Sequence, residues 1–401
     1  MKESLILAVN CGSSSLKLAL FRFDGDAEAR IAEGAIEGIG LDRGRAWLKR
    51  DAGKGSAGKG SAGEGSLASD QPIACADHAA AITAALALFD PAELAALTAV
   101  GHRIVHGGPE HDAPHVIDAA LVEGLRRITP FAPLHLPVEL RTIEAVSSHF
   151  PALPQVACFD TAFHRTLPEV ARRFPLARSF RERGLHRYGF HGLSYEFLVE
   201  SLGARTLGRA VLAHLGNGAS MAAVRDGKSA DTTMGLTPTG GFMMGTRSGD
   251  LDPGLLLHLL NDGYDAPSLE RLVNHEAGLL GVSGSTSDMK LLLERRATDP
   301  DATFAVELFC HQARKSVGAL AATLGGLDSL VFTGGIGERA APVRALLCDG
   351  LAFLGVQLDA ARNAASAPII SVDGSACTVR VVPTDEERMI ARQTRRTLAP
   401  A

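Results

Sequence analysis

The strongest constraint on the fold is a pattern that occurs twice. Near the N-terminus, in "LILAVNCGSSSLKLALF", an apolar run over residues 5–9 breaks at Asn10-Cys11-Gly12-Ser13-Ser14-Ser15. An apolar/polar alternation then resumes from Leu16 to Phe21 and ends at Asp24-Gly25. The stretch "AVLAHLGNGASMAAVRDGK", residues 210–228, repeats the plan: strand, Gly/Asn/Ser turn, strand, then Asp226-Gly227. A plain hairpin needs only a two-residue turn such as Asn-Gly. A longer turn with three hydroxyls reads as one that holds something. Two such hairpins, separated by about half the chain, point to a duplicated domain. A third turn, Gly334-Gly335-Ile336-Gly337 in "SLVFTGGIGERAAPVR", leads a strand into a helix. Turns of this kind cluster backbone N–H groups, which is what phosphate oxygens need.

A chain of 401 residues exceeds what one core usually serves, so two domains are expected. Apolar segments of helical spacing alternate with strand-like ones, which predicts α/β architecture. The boundary is placed near Pro151, giving an N-terminal domain over 1–150 and a C-terminal domain over 151–385. The closing helix, 386–401, is expected to pack back on the N-terminal half. Residues 44–72, rich in Gly, Ser, Ala and Lys, read as a solvated loop or hairpin extension. Within them Gly53 to Lys59 fits the G-x-x-x-x-G-K of a phosphate loop, but Gly60 follows where Ser or Thr is required. Six scattered cysteines without a C-x-x-C pair read as free thiols in a reducing compartment. No signal-like or membrane-spanning run is apparent, so a cytoplasmic protein is expected. A net charge of -5 gives no basic footprint for nucleic acid.

Three glycine turns, two of them alike, suggest a nucleotide held between two domains, as in folds of the actin, sugar-kinase and heat-shock ATPase type. The segments around the turns are more specific. "NCGSSSLKL", "GHRIVHGG", "FDTAFHRTLP", "RYGFHGLS", "HLGNGAS", "DTTMGLTPTGGFMMGTRSGDLDPG" and "VFTGGIGER" together resemble the acetate kinase family, in order and spacing, over nearly the whole chain outside 44–72. The resemblance implies a duplicated ribonuclease-H-like fold with nucleotide in the interdomain cleft, and a homodimer. It also implies reversible phosphoryl transfer from ATP to acetate with Mg²⁺, for which Mn²⁺ is a substitute.

A carboxylate is already ionised at neutral pH, so the reaction needs no strong general base. The obstacle is repulsion between two anions, and catalysis rests on positioning and positive charge. Arg103 and Arg247 sit beside glycine turns, where a guanidinium makes bidentate contacts to carboxylate or phosphate. His191 offers a hydrogen bond to equatorial oxygens. Taken singly, these are a helix cap or surface ion pair and a core histidine, and Asp160 is a helix N-cap. The resemblance assigns Arg103 and Arg247 to the acetate carboxylate and the phosphoryl group. It assigns His191 to the transition state, and Asp160 to positioning substrate or metal-bound water.

By the same resemblance Asn10 and Glu386 hold the metal, while Glu387 is read as an acid favourable to its helix dipole. Ser13, Lys17, His214, Leu215, Gly216, Asn217, Gly218, Asp288, Met289, Lys290, Gly335, Ile336, Gly337, Glu338 and Arg339 fall to the nucleotide. Val105, Leu134, Phe190 and Pro238 match the apolar pocket for the methyl group, although each alone reads as core.

Several residues depart from the family pattern. Leu136 stands for Asn, Leu193 and Tyr195 for Thr and His, "TPTGG" for "TPLEG", Lys290 for Arg and Asp385 for Asn. None removes a residue assigned to chemistry, but they leave acyl-chain and nucleotide preference open, with propionate or butyrate as alternatives. A sugar kinase needs a general base and a polar pocket, which the apolar residues oppose. A nucleotide-gated binding protein of the same fold needs a further module for which no chain remains.

Overall fold

The computed structural model describes residues 3–12, 14–51 and 66–399. Ser13, and the central part of the low-complexity stretch with its phosphate-loop-like run, lie outside the described residues. The chain divides into two compact units, one of Met1–Ala162 with Asp385–Ala401, the other Phe163–Thr384.

In the first unit β1 (Ser4–Cys11), β2 (Ser15–Asp24), β3 (Ala27–Glu37), β4 (Gly44–Arg50) and β5 (Ser66–Ile73) form an antiparallel meander. On the other side of β1, β6 (Ala99–Ile104) and β8 (Gln155–Phe159) pair parallel, and the short β7 (His115–Val116) closes the edge. The order is β5-β4-β3-β2-β1-β6-β8-β7. β1 is buried along almost its whole length, as expected of a central strand covered on both faces. Leu7, Val9, Leu16, Leu18 and Leu20 pack with Ile82 and Leu86 of the helix His78–Leu86.

The C-terminal helix, Glu386–Leu398, lies on this sheet through buried Met389, Ile390, Ala391 and Thr394. Gly101 of β6 makes the approach feasible: a Cβ there would fall 2.1 Å from Thr394 Oγ1 and 2.7 Å from Ile390 Cγ2.

In the second unit β9 (Ala210–Leu215), β10 (Ala219–Arg225) and β11 (Lys228–Thr232) are antiparallel, and β12 (Ser329–Thr333) and β13 (Thr378–Val381) continue parallel from β9. The order is β11-β10-β9-β12-β13. Without its edge strands the first sheet reads β3-β2-β1-β6-β8, with the same directions. The same topology therefore occurs in each unit, which is what the two matching hairpins predict.

The details differ from expectation in two places, the unit boundary and the turn of the first hairpin, while the hairpin extension read for residues 44–72 is present in its flanking strands. The first unit ends at Ala162 rather than near Pro151, because β8 pairs with β6 and belongs to the first sheet. The low-complexity stretch is flanked by two paired strands, β4 and β5, so its ends extend the meander. The second copy turns on Asp226-Gly227, both at positive φ, between the paired Arg225 and Lys228. The first copy turns one residue later, on Gly25-Asp26, between the paired Asp24 and Ala27.

Candidate active site

In the first unit, parallel β6 and β8 carry Arg103 and Asp160 side by side. Arg103 is in register with Cys158, and Asp160 is the first residue after β8. Arg103 Nη2 donates to Asp160 Oδ2 at 2.6 Å, and its Nε donates to Oδ1 and Oδ2 at 3.2 and 3.1 Å. The remaining Nη1 donates to Asn10 Oδ1 at 3.3 Å. Asp160 is 1% exposed. Burial opposes the guanidinium's charge, but Asp160, Glu386 and Glu139 together outweigh it and hold the Arg103 pKa above its ordinary value.

Asn10, on β1, turns its amide to the start of the C-terminal helix. Its Nδ2 donates to Glu386 Oε2 at 3.0 Å and to Glu387 Oε1 at 2.9 Å. Glu387 thus joins Asn10 and Glu386, where the sequence reading left it as a dipole partner only. Asp385 caps the helix by accepting from the Arg388 N–H at 3.1 Å. The two carboxylates are hard oxygen donors of the type magnesium takes, and that ion needs only one or two carboxylates from protein. The Asn10 amide turns its Nδ2 to them and its Oδ1 to Arg103, so its oxygen joins them only if the amide turns over. Among the described residues no cluster of three or more His, Cys, Asp or Glu forms a fuller cage.

Sequence reasoning missed Glu139. Both of its carboxylate oxygens accept from the Val105 N–H at 3.2 Å, and the side chain is buried. Burial pushes its pKa up to about 8, against the pull of Arg103 and of that N–H. A signal was present: Glu139 falls on the stripe with Leu136, Leu140, Ile143 and Val146, the buried face of the helix Leu136–His149.

In the second unit His191 precedes the helix Gly192–Leu202 with φ 57° and ψ 26°, a left-handed conformation costly for a non-glycine residue. Its side chain is fixed from two directions. Nδ1 lies 2.8 Å from Ser220 Oγ, and the ring stacks on His214 with centroids 4.2 Å apart and planes 14° apart. His214 Nδ1 lies 2.9 Å from Ser194 Oγ, which also accepts from Thr384 Oγ1 at 2.9 Å.

Gly218 sits against both His191 and Arg247: a Cβ there would lie 3.4 Å from Arg247 Nη1 and 3.5 Å from His191 Nε2. Arg247 Nη1 donates to the Pro238 carbonyl at 3.2 Å. Phe190 is buried, and its carbonyl meets Nε2 of His164, whose pKa burial lowers to about 4.

The third glycine turn is itself helical, Gly334–Arg339, rather than a loop before a helix. Glu338 Oε1 accepts from the Gly334 and Thr384 N–H groups at 3.0 and 3.2 Å. Through Thr384 and Ser194 this segment is tied to His214, and so to the turn Gly216-Asn217-Gly218 after Leu215.

Asp288 caps its own helix by accepting from the Lys290 N–H at 2.8 Å, Met289 is buried, and exposed Lys290 pairs loosely with Glu294 at 3.9 Å. Lys17 is exposed on β2, opposite Asn10 in register. Gly335 and Arg339 are exposed and Ile336 is half-buried. Of the methyl-pocket residues, Val105 and half-buried Leu134 belong to the first unit, Phe190 and Pro238 to the second.

A sheet of this order carried twice, with glycine turns after β9 and β12, defines the duplicated ribonuclease-H-like class of actin, sugar kinases and heat-shock ATPases. Within that class the chain belongs to the acetokinase family, whose profile matches residues 5–392. An acetate kinase of Nitrobacter hamburgensis is 42% identical over 395 residues, covering 97% of this chain and 95% of that protein. Among solved structures, a propionate kinase of Francisella tularensis superposes with a TM-score of 0.87 at 33% identity, covering 98% of this chain and all of the other. An acetate kinase of Porphyromonas gingivalis gives 0.83 at 36% identity, covering 99% and 100%.

Proposed function

We propose that this protein transfers the γ-phosphoryl group of ATP to acetate, giving acetyl phosphate and ADP, and runs the reaction in both directions. An acetate oxygen forms a bond to the γ-phosphorus as the bond from that phosphorus to the ADP oxygen breaks in line. Acetate is ionised at neutral pH, so no proton needs to be removed. What the protein supplies is charge and position.

The observation that carries the reading is Arg103, half-buried and oriented by Asp160 beside Asn10 and Glu386. Its pairing with Asp160 supports a role for Asp160 as the group that positions Arg103. On this reading Arg103 takes the acetate carboxylate, while Arg247 and His191, flanking Gly218, take the developing charge on the phosphoryl oxygens. The turn from His214 to Gly218, with residues 288–290 and 335–339 and with Ser13 and Lys17, is assigned to the nucleotide. Asn10, Glu386 and Glu387 would hold Mg²⁺ or Mn²⁺, which neutralises phosphate charge when bound. Val105, Leu134, Phe190 and Pro238 are assigned to the methyl group.

A second reading, propionate as the preferred acceptor, is favoured by the likeness to the Francisella propionate kinase and by the substituted Leu193, Tyr195 and Thr239. The test is kcat/KM for acetate, propionate and butyrate with Mg-ATP, detecting the acyl phosphate directly. Acetate is expected to lead; a clear lead for propionate keeps the mechanism and changes the substrate. Absence of carboxylate-dependent ATP turnover would overturn both.

A second copy of the chain is proposed as partner. The helix Pro253–Asn261 buries none of its residues, although Leu255, Leu257 and Leu260 lie on it. All six cysteines are free and buried, which supports the cytoplasm as its compartment. No helix among the described residues is long and apolar enough to cross a membrane.

A further inference from the structure

We infer that Tyr195 and Ser220 form a hydrogen-bonded relay that sets the tautomer and orientation of His191, making Tyr195 a positioning residue for phosphoryl transfer. The inference rests on the role given to His191 above and adds a residue to it. Tyr195 is one of the positions where this chain departs from the family pattern, so its contacts belong to this chain.

Tyr195 is on the first turn of the helix that His191 precedes, and it is 0% exposed. A buried phenol has to place its hydroxyl on a partner, because an unmade hydrogen bond costs more than a made one returns. The hydroxyl lies 2.5 Å from Ser220 Oγ. Ser220 is fully buried on β10, in register with His214 on β9. Its oxygen therefore meets two groups, the phenol and His191 Nδ1 at 2.8 Å. The tyrosine ring is itself held, at 5.8 Å from Phe163 and 5.7 Å from His164 between ring centroids.

A serine hydroxyl has one proton and two lone pairs. A phenol, with a pKa near 10, is a far better donor than an aliphatic hydroxyl, and imidazole nitrogen is the better acceptor. The favoured direction is therefore Tyr195 O–H to Ser220 Oγ, and Ser220 O–H to His191 Nδ1. That leaves the proton of a neutral His191 on Nε2, the nitrogen beside Gly218 and, across it, Arg247. An N–H there donates to an oxygen gaining negative charge; the other tautomer would present a lone pair and repel it.

The stacked His214 reinforces this choice. Two cationic rings at 4.2 Å would repel, so the stack is best served by at least one neutral ring. His214 is anchored in the same way, through Nδ1 on Ser194, so both rings turn Nδ1 inward to a serine. The left-handed backbone of His191 persists because the side chain is over-determined by these contacts.

The test compares Tyr195→Phe, Tyr195→His and Ser220→Ala with the unmodified enzyme, with His191→Ala as control. The readouts are kcat, KM for both substrates, melting temperature and the ¹⁵N spectrum of the His191 imidazole. Tyr195→Phe is expected to lower kcat roughly 10-fold, the lower end of the scale for losing the outer partner of a metal-bound histidine, since here the relay acts through Ser220. Both KM values should stay within about twofold, and the Nε2–H signal of His191 should weaken toward a mixture of tautomers. Tyr195→His, the family-type residue, should recover part of the loss. Tyr195→Phe combined with Ser220→Ala should lose no more than Ser220→Ala alone, since both break one chain. If Tyr195→Phe does not fold, the same readouts on Ser220→Ala carry the test.

An unchanged kcat and tautomer in Tyr195→Phe, with His191→Ala inactive, would overturn the relay while leaving the role of His191 intact. Full kcat in His191→Ala would overturn the reading beneath it.

Discussion

Two arginines assigned to the same reaction are held in different ways, and this separates their expected phenotypes. Arg103 neutralises Asp160, which is almost wholly buried, and removing one partner of such a pair costs about 3–5 kcal/mol because the other is left uncompensated. Arg103→Ala is therefore expected to lower both activity and stability. Arg247 donates to the Pro238 carbonyl. Arg247→Ala should leave a folded protein that still binds ATP, with kcat reduced on the order of 10²–10³-fold, the effect of removing one preorganised donor. Melting temperature, nucleotide binding and kcat measured on both variants check the contrast; unfolding of Arg247→Ala would make that arginine structural.

Glu139 makes a prediction about pH. Its pKa rises from 4.5 to about 8 on folding, so the folded state keeps a proton that the unfolded chain has released. The stability it contributes is full below about pH 4.5 and is lost as pH rises through about 8. Glu139→Gln, which still accepts from Val105, should flatten the decline in unfolding free energy between pH 5 and 9. Denaturant titrations of both proteins across that range measure it, and identical pH profiles would remove Glu139 as the cause.

Elements were legible where their cause was local. The strands flanking Asn10–Ser15 and residues 216–218 show in the sequence because alternation and turn residues lie side by side, and they form β1–β2 and β9–β10. The unit boundary was misplaced because the membership of β8 depends on pairing with β6, some fifty residues away, which no local pattern records. Among site residues, Arg103 and Arg247 stand out beside glycine turns. Glu139 does not, because its burial depends on what the helix packs against, and Tyr195 is visible only as a departure whose partner, Ser220, lies on another element.

The β4–β5 hairpin carries the remaining prediction at this scale. Arg50 and Ser66 are paired across the two strands. Replacing residues 51–65 with Asn-Gly gives the two-residue connection that such a register takes. kcat/KM of this variant should stay within about twofold of the parent if the stretch serves only as a connector. A loss well beyond that would make the Gly/Ser-rich stretch part of the catalytic cycle.

At the scale of the whole molecule, the two units repeat one sheet topology, and the second carries a leucine-rich helix that its own core leaves uncovered. Leu257 is 62% exposed, and Leu255, Leu260 and Tyr264 are exposed within the same stretch. These leucines are only about half exposed, so covering each one contributes about 1 kcal/mol before the cost of ordering is subtracted. A second copy offers the same apolar patch, and a two-fold axis lets a patch cover itself. The protein is therefore expected to run as a dimer at micromolar concentration in light scattering coupled to size exclusion. Leu257→Glu should shift it to monomer with little change in the fold of either unit, because that side chain already faces water in the isolated chain. A dimer that survives Leu257→Glu would place the interface elsewhere; a monomeric parent would leave the helix for some other partner.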